Sequence, residues 1–317
     1  MKKYLLILCF VIVSSHGFAQ SRKYFTQFNS LQGYYNPALT AHGGSALRGV
    51  VRNQWMGLDG SPSSTFFSGE IDFAELSGED DPALMGRNAV GANVLFDQHG
   101  PFAETELNVN YATRVRLSAK HSFRLGAGVN FSSVRLDGAS LTPELENDPT
   151  IGKYLGGFAD MQSLDFHIGG ALTHERYYLG FAMNNVNGGK FNRGDVFWPQ
   201  RPIGYVISAG YRESLSDQLS VMGNALYRYQ DGLYDNIEFN FKALFADTFW
   251  LGGGHRIDHG NNFQFGVLLL HQFTVGYVFE FPTNASHRLP GTTHEFVATL
   301  RLGRTHIRRD RREILIW

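Results

Sequence analysis

Residues 104–117 read Glu-Thr-Glu-Leu-Asn-Val-Asn-Tyr-Ala-Thr-Arg-Val-Arg-Leu. Thr105, Leu107, Val109, Tyr111, Thr113, Val115 and Leu117 fall on one face, and Glu104, Glu106, Asn108, Asn110, Ala112, Arg114 and Arg116 on the other. Strict period-two alternation is the pattern of a strand with one apolar and one polar face. Soluble strands usually stop at about 5–6 residues, whereas a membrane-spanning strand needs about 9–11. A long strand with a charged second face predicts a barrel wall, with lipid on one side and water on the other.

The pattern recurs along the chain. Phe123, Leu125, Ala127, Val129 and Phe131 oppose Arg124, Gly126, Gly128 and Asn130. Ile237, Phe239, Phe241, Ala243 and Phe245 oppose Asn236, Glu238, Asn240 and Lys242. Fourteen strands are expected, near 46–55, 63–73, 88–97, 102–117, 121–137, 161–173, 175–185, 203–213, 218–230, 236–246, 248–257, 262–269, 271–281 and 293–303. The connections at 118–120, 174, 214–217, 247 and near 271 are short, while 138–160, 186–202 and 282–292 are long. Short periplasmic turns and long outer loops characterise outer-membrane barrels. The alternation therefore predicts an all-β, antiparallel up-and-down barrel with both termini in the periplasm. The connection at 74–87 breaks this parity by being long on the short-turn side.

Composition fits that class. Glycine makes up 36 of 317 residues, about 11 % against a usual 7 % or so. Aromatic residues are 14 % and charged residues 18 % of the chain. A formal net charge of −1 argues against a nucleic-acid partner. No later apolar run approaches the length of a membrane-spanning helix. The competing architecture is a large secreted β-sandwich or propeller.

Lys2 and Lys3 precede an apolar run from Tyr4 to Val13, followed by Ser14, Ser15, Gly17 and Ala19. This is the layout of a secretory signal peptide, with cleavage expected between Ala19 and Gln20. The sole cysteine, Cys9, lies inside it. The expected organisation is a signal peptide at 1–19, a periplasmic leader or plug at 20–45, a barrel at 46–303 and a basic tail at 304–317. Fourteen strands enclose a lumen wider than side chains alone fill. Inward charges, the long loops and the 20–45 segment are all candidates to occupy it. The tail carries Arg304, Arg308, Arg309, Arg311 and Arg312 before Ile314-Leu315-Ile316-Trp317. Arg308, Arg309, Arg311 and Arg312 are candidates for docking an acidic periplasmic partner or lipid head groups; a solvated basic tail is the plain alternative.

Catalytic and metal-binding motifs are sparse. His255 and His259 share an i, i+4 spacing, but in an expected hairpin loop that spacing loses its helical meaning. His294-Glu295 lacks the second histidine of a zinc-protease motif. Glu104 and Glu106 read as lumen polarity rather than paired acid–base carboxylates. No enzyme activity, metal site or cofactor is expected.

Two motif groups add a resemblance. Phe25-Thr26-Gln27-Phe28, Asn36-Pro37-Ala38 and Val51-Arg52-Asn53-Gln54-Trp55 occur in this order. Pro62, Ser68, Asp97-x-x-Gly100 and Gly291-Thr292-Thr293-His294-Glu295-Phe296 follow. The chain resembles the PorP/SprF-like proteins, outer-membrane components of the type IX secretion system. Val51, where the family more often has tyrosine, and the basic tail depart from its pattern. The resemblance implies a non-enzymatic barrel that supports export or surface retention of large proteins, often adhesins. The implied partners are a cargo's C-terminal secretion domain and other secretion components, with outer-membrane lipid around the wall. Some members support gliding motility, and others work with periplasmic rings of the secretion machine.

Within this resemblance Asn36, Pro37, Arg52, Gln54, Trp55, His294 and Glu295 are the partner-binding or structural candidates. Trp55 is expected to end the first strand at a membrane interface. Arg52 and Gln54 then face the lumen, holding the leader or a partner segment, or closing the first strand onto the last. Trp55 and His294 share a rim, close enough for contact. A substrate-selective or passive porin is the alternative function. A purely structural or adhesive surface protein is the third.

Overall fold

A computed structural model describes residues 25–58, 60–77, 87–118, 120–141, 153–195, 201–270, 272–283 and 291–302. Its strands are β1 Ala46–Asn53, β2 Ser63–Asp72, β3 Asn88–His99, β4 Phe102–Arg116, β5 His121–Asp137, β6 Phe158–His174, β7 Tyr177–Asn184, β8 Phe191–Gly194, β9 Gly204–Ser214, β10 Leu219–Gln230, β11 Asn236–Phe245, β12 Phe249–Arg256, β13 Gly260–Leu269, β14 Phe273–Pro282 and β15 Thr293–Arg301. All of them except β8 form a ring of fourteen antiparallel strands. β1 pairs with both β2 and β15, so the ring closes with Arg52 opposite Glu295 and Val50 opposite Val297. Closure leaves no wall strand with an open edge over its paired length.

Alternation places the side chains as their chemistry demands. Along β4, Glu106, Asn108, Asn110 and Ala112 are buried, whereas Leu107, Val109 and Tyr111 are exposed on the outer wall. Phe239, Phe241, Phe263, Phe265 and Phe296 extend the same exposed apolar surface. Apolar side chains outside and polar ones inside are the inverse of a soluble domain and the rule for a lipid-embedded barrel.

The strands expected from alternation are all present, with local differences. β1 stops at Asn53, so Trp55 lies beyond the wall in a left-handed turn with φ 54°. There the Gln54 amide donates to the Pro62 carbonyl and the Met56 amide to the Thr292 carbonyl, at 2.9 and 3.0 Å. These bonds turn the chain away from the strand direction. β8 lies in the long 186–202 connection. It arises because β6 is longer than β7, whose pairing covers only Ile168–Thr173 of β6. β8 pairs with Met161–Leu164 of β6, covering an edge that would otherwise be open. In the 74–87 connection a helical turn, Phe73–Leu76, is capped by Asp72, whose carboxylate accepts from the Ala74 amide at 3.0 Å.

Candidate functional site

The segment from Phe25 to Ser45 runs through the barrel interior. Phe25, Phe28, Leu31 and Tyr35 are buried and pack on inward residues Val50, Phe66, Leu95, Ala182, Val206, Leu226 and Val297. A 3-10 turn at Phe28–Leu31 leads into one α-helical turn at Gln32–Tyr35. These turns bring apolar positions three or four residues apart onto the wall.

Asn36-Pro37 then does a defined local task. Asn36 is extended and its Oδ1 accepts from the Ala38 amide at 2.9 Å, capping the 3-10 turn Pro37–Leu39. Proline suits the first position of that turn, where an N–H would lack a partner. The same Asn36 amide donates to the carbonyls of Gly170 and Phe181, each at 3.3 Å, and so ties the cap to β6 and β7. Two wall glycines make room. A Cβ at Gly126 would overlap the Ala38 amide and the Pro37 carbonyl carbon, and one at Gly169 would overlap Asn36.

A charged clamp grips the other end of the plug. Arg52 contacts Glu295 at 3.2 Å and Glu280 at 3.0 Å, all on the lumen side of β1, β15 and β14. Glu295 also accepts from the amides of Thr26 and Gln27 at 2.9 and 3.0 Å. The Thr26 hydroxyl donates to Glu280 and accepts from Arg52, both at 2.9 Å. Asn240 donates to the Thr26 carbonyl at 2.6 Å. The Lys242 ammonium donates to Gln27 and Asn29 at 3.1 and 3.3 Å and sits 4.4 Å from the Trp250 ring centre. Arg256, 3.6 Å from Glu280 and 3.1 Å from Glu238, extends the charges to β11 and β12. Buried charges persist only when paired and hydrogen-bonded, and here the plug supplies part of that pairing.

Further anchors follow the plug toward the short-turn end. Asn110 donates to the Gly33 carbonyl at 2.7 Å, and the Tyr34 hydroxyl to Glu106 at 2.9 Å. Arg124 donates to the carbonyls of Ala38 and Thr40 at 2.7 and 2.6 Å. Glu70 accepts from the Ala41 amide at 3.1 Å and pairs with Arg48 at 2.7 Å. Near the loop end, Arg201 from the connection after β8 bonds Asp165 at 3.1 Å and Glu104 at 3.4 Å. The lumen is thus filled by the chain's own leader, held by side chains from wall strands on every side.

The family model for the type IX secretion system membrane protein PorP/SprF matches residues 17–300. The chain belongs to this family. Membership and the barrel with an apolar outer surface make it an outer-membrane component of type IX secretion. No curated protein matches the chain. Among solved structures, Omp33 of Acinetobacter baumannii is similar over 81 % of this chain and 97 % of its own, at 9 % identity and TM-score 0.48. The toluene transporter TbuX of Ralstonia pickettii covers 84 % and 91 %, at 12 % identity and TM-score 0.47. The toluene transporter TodX of Pseudomonas putida covers 88 % and 94 %, at 10 % identity and TM-score 0.47.

The PorP/SprF-like motif residues separate in space. Asn36 and Pro37 lie in the plug, and Arg52 and Glu295 form the clamp beside it. Gln54 and Trp55 lie in the turn after β1 rather than on the wall, which corrects the expectation that Trp55 ends the strand. His294 points to the face opposite Glu295, as neighbours in a strand must. Its ring bonds the Tyr277 hydroxyl at 2.5 Å and the Thr292 hydroxyl at 2.9 Å. His255 is in β12 rather than a loop and bonds Asn261 at 2.7 Å; His259 is in the following turn, bonded to the Ile257 carbonyl at 3.0 Å. The signal peptide and Arg308, Arg309, Arg311 and Arg312 lie outside the described residues. Glu280, Lys242, Asn240, Arg124 and Glu70 were not singled out by motif. Their signal was a charged or amide side chain at an inward position, which alternation alone could have flagged.

Proposed function

We propose that this plugged barrel is an adaptor that supports export or surface attachment of large cargo proteins, such as adhesins used in gliding, by binding their C-terminal secretion domain. The observation that carries the reading is the occupied lumen in a member of a secretion family. A passive porin needs an open aqueous path, whereas this lumen is packed with Phe25, Phe28, Leu31 and Tyr35 and holds buried ion pairs that bond the plug. In this reading the short-turn end faces the periplasm, and the chain leaves β15 at Leu302 toward other secretion components. The basic tail docks one of them. Deleting the gene and comparing surface proteins tests the reading. Loss of a small set of large proteins is the expected result; an unchanged surface with altered small-solute uptake would favour a porin. A chain truncated after Gly303 is expected to insert normally but lose part of its cargo export. Export at the full-length level would remove the docking role of the tail.

A further inference from the structure

The wall meets the plug at its main chain as well as at its side chains. Glu295 accepts from the amides of Thr26 and Gln27 and Glu70 from that of Ala41. Asn240 donates to the carbonyl of Thr26, Asn110 to that of Gly33, and Arg124 to those of Ala38 and Thr40. Amides and carbonyls are common to every polypeptide, so these wall groups carry affinity without selecting a sequence. Selection comes from apolar side chains at positions 25, 28, 31 and 35, and from polar side chains at Thr26, Gln27, Asn29, Tyr34 and Asn36. The glycine clearance at Gly126 admits a backbone rather than one side chain.

We propose that the lumen wall is a polypeptide main-chain binding site whose resident ligand is the chain's own segment 25–45, and that a segment of a partner protein with apolar residues every third or fourth position exchanges with it. The partner's identity as secreted cargo rests on the secretion reading; the binding site itself does not. A tethered plug has a high effective concentration, so exchange requires a partner segment held close to the lumen, as cargo in transit would be.

A lock distinguishes occupied from exchangeable plug. Asn36 Cγ lies 3.0 Å from the Cβ position of Gly169. A disulfide with an S–S bond of about 2.05 Å places a sulfur about 3 Å from its partner's Cβ, so Asn36→Cys with Gly169→Cys can join plug to wall. Cys9, the sole native cysteine, precedes the expected cleavage site. The probe is a fluorescent synthetic peptide with the sequence of residues 25–45, added to the purified full chain. The reduced variant is expected to bind it and the oxidised variant to bind at least about tenfold more weakly. N-methylation at the positions of Thr26 and Gln27 should weaken binding by at least about a hundredfold, since it removes two charge-assisted bonds to Glu295. Wild-type protein provides the same N-methylation comparison without the lock. Equal binding by both redox forms, no binding to reduced or wild-type protein at millimolar peptide, or indifference to N-methylation would overturn the proposal. These assays use no cargo, so they fail independently of the surface-protein comparison.

Discussion

Arg52 contributes a single guanidinium to two carboxylates and to the plug's Thr26 hydroxyl. All of these groups are buried, with Arg52 at 2 % and Glu295 at 0 % exposure. Removing one partner of a buried pair leaves an uncompensated charge, which costs more than the pair itself contributes. Arg52→Ala is therefore expected to destabilise the folded barrel by about 3–5 kcal/mol in urea unfolding. Val109→Ala on the exposed outer wall should cost less than about 1 kcal/mol. Equal effects of the two substitutions would remove the special role of Arg52. At this scale the Arg-x-Gln-Trp motif was only half legible. Inward phase placed Arg52 correctly, because alternation fixes the face. Gln54 and Trp55 escaped it, because β1 ends where the chain bonds to Pro62 and Thr292, residues remote in sequence or across a loop.

Elements differ in how much the sequence reveals of them. Wall strands carry their own periodicity, so each could be placed from local residues, including the long β4, β5 and β6. The short β8 could not, since Phe191–Gly194 becomes a strand only because β6 outruns β7. The plug's helical turns are each too short for their spacing to stand out in the sequence. Its turns are fixed by contacts with strands up to 269 residues away, such as Glu295 to the Thr26 amide. Sequence leaves the 20–45 segment as one of three candidates to occupy the lumen; choosing it needs the wall around it. Gly126 makes the dependence testable. A side chain there must displace Pro37 and Ala38 from β5, and wall backbone hydrogen-bonded on both sides moves less readily than a plug. Gly126→Val should leave the barrel folded, with heat-modifiable mobility on gels, while exposing the 25–45 segment to added protease. A plug as protected as in the wild type would contradict this packing.

At the scale of the whole molecule, two closures operate. The ring of strands satisfies its own backbone groups through the β1–β15 seam. The plug then fills the interior that fourteen strands leave open. The two are separable, because the strand-to-strand pairing of the ring is made without the plug, and the inward charges would face water if it left. Omission of residues 25–41 should therefore yield a less stable but still inserted barrel. The outer-wall pattern in residues 104–117 identified the ring; only the interior contacts identified what the ring contains and hence why it is read as an adaptor rather than a pore.

Conductance of purified protein in planar lipid bilayers tests the central claim most directly. The full chain is expected to insert with little or no steady current, and the chain lacking residues 25–41 to conduct in large, stable steps. A large and steady current through the full chain, unchanged by removing the plug, would contradict the account.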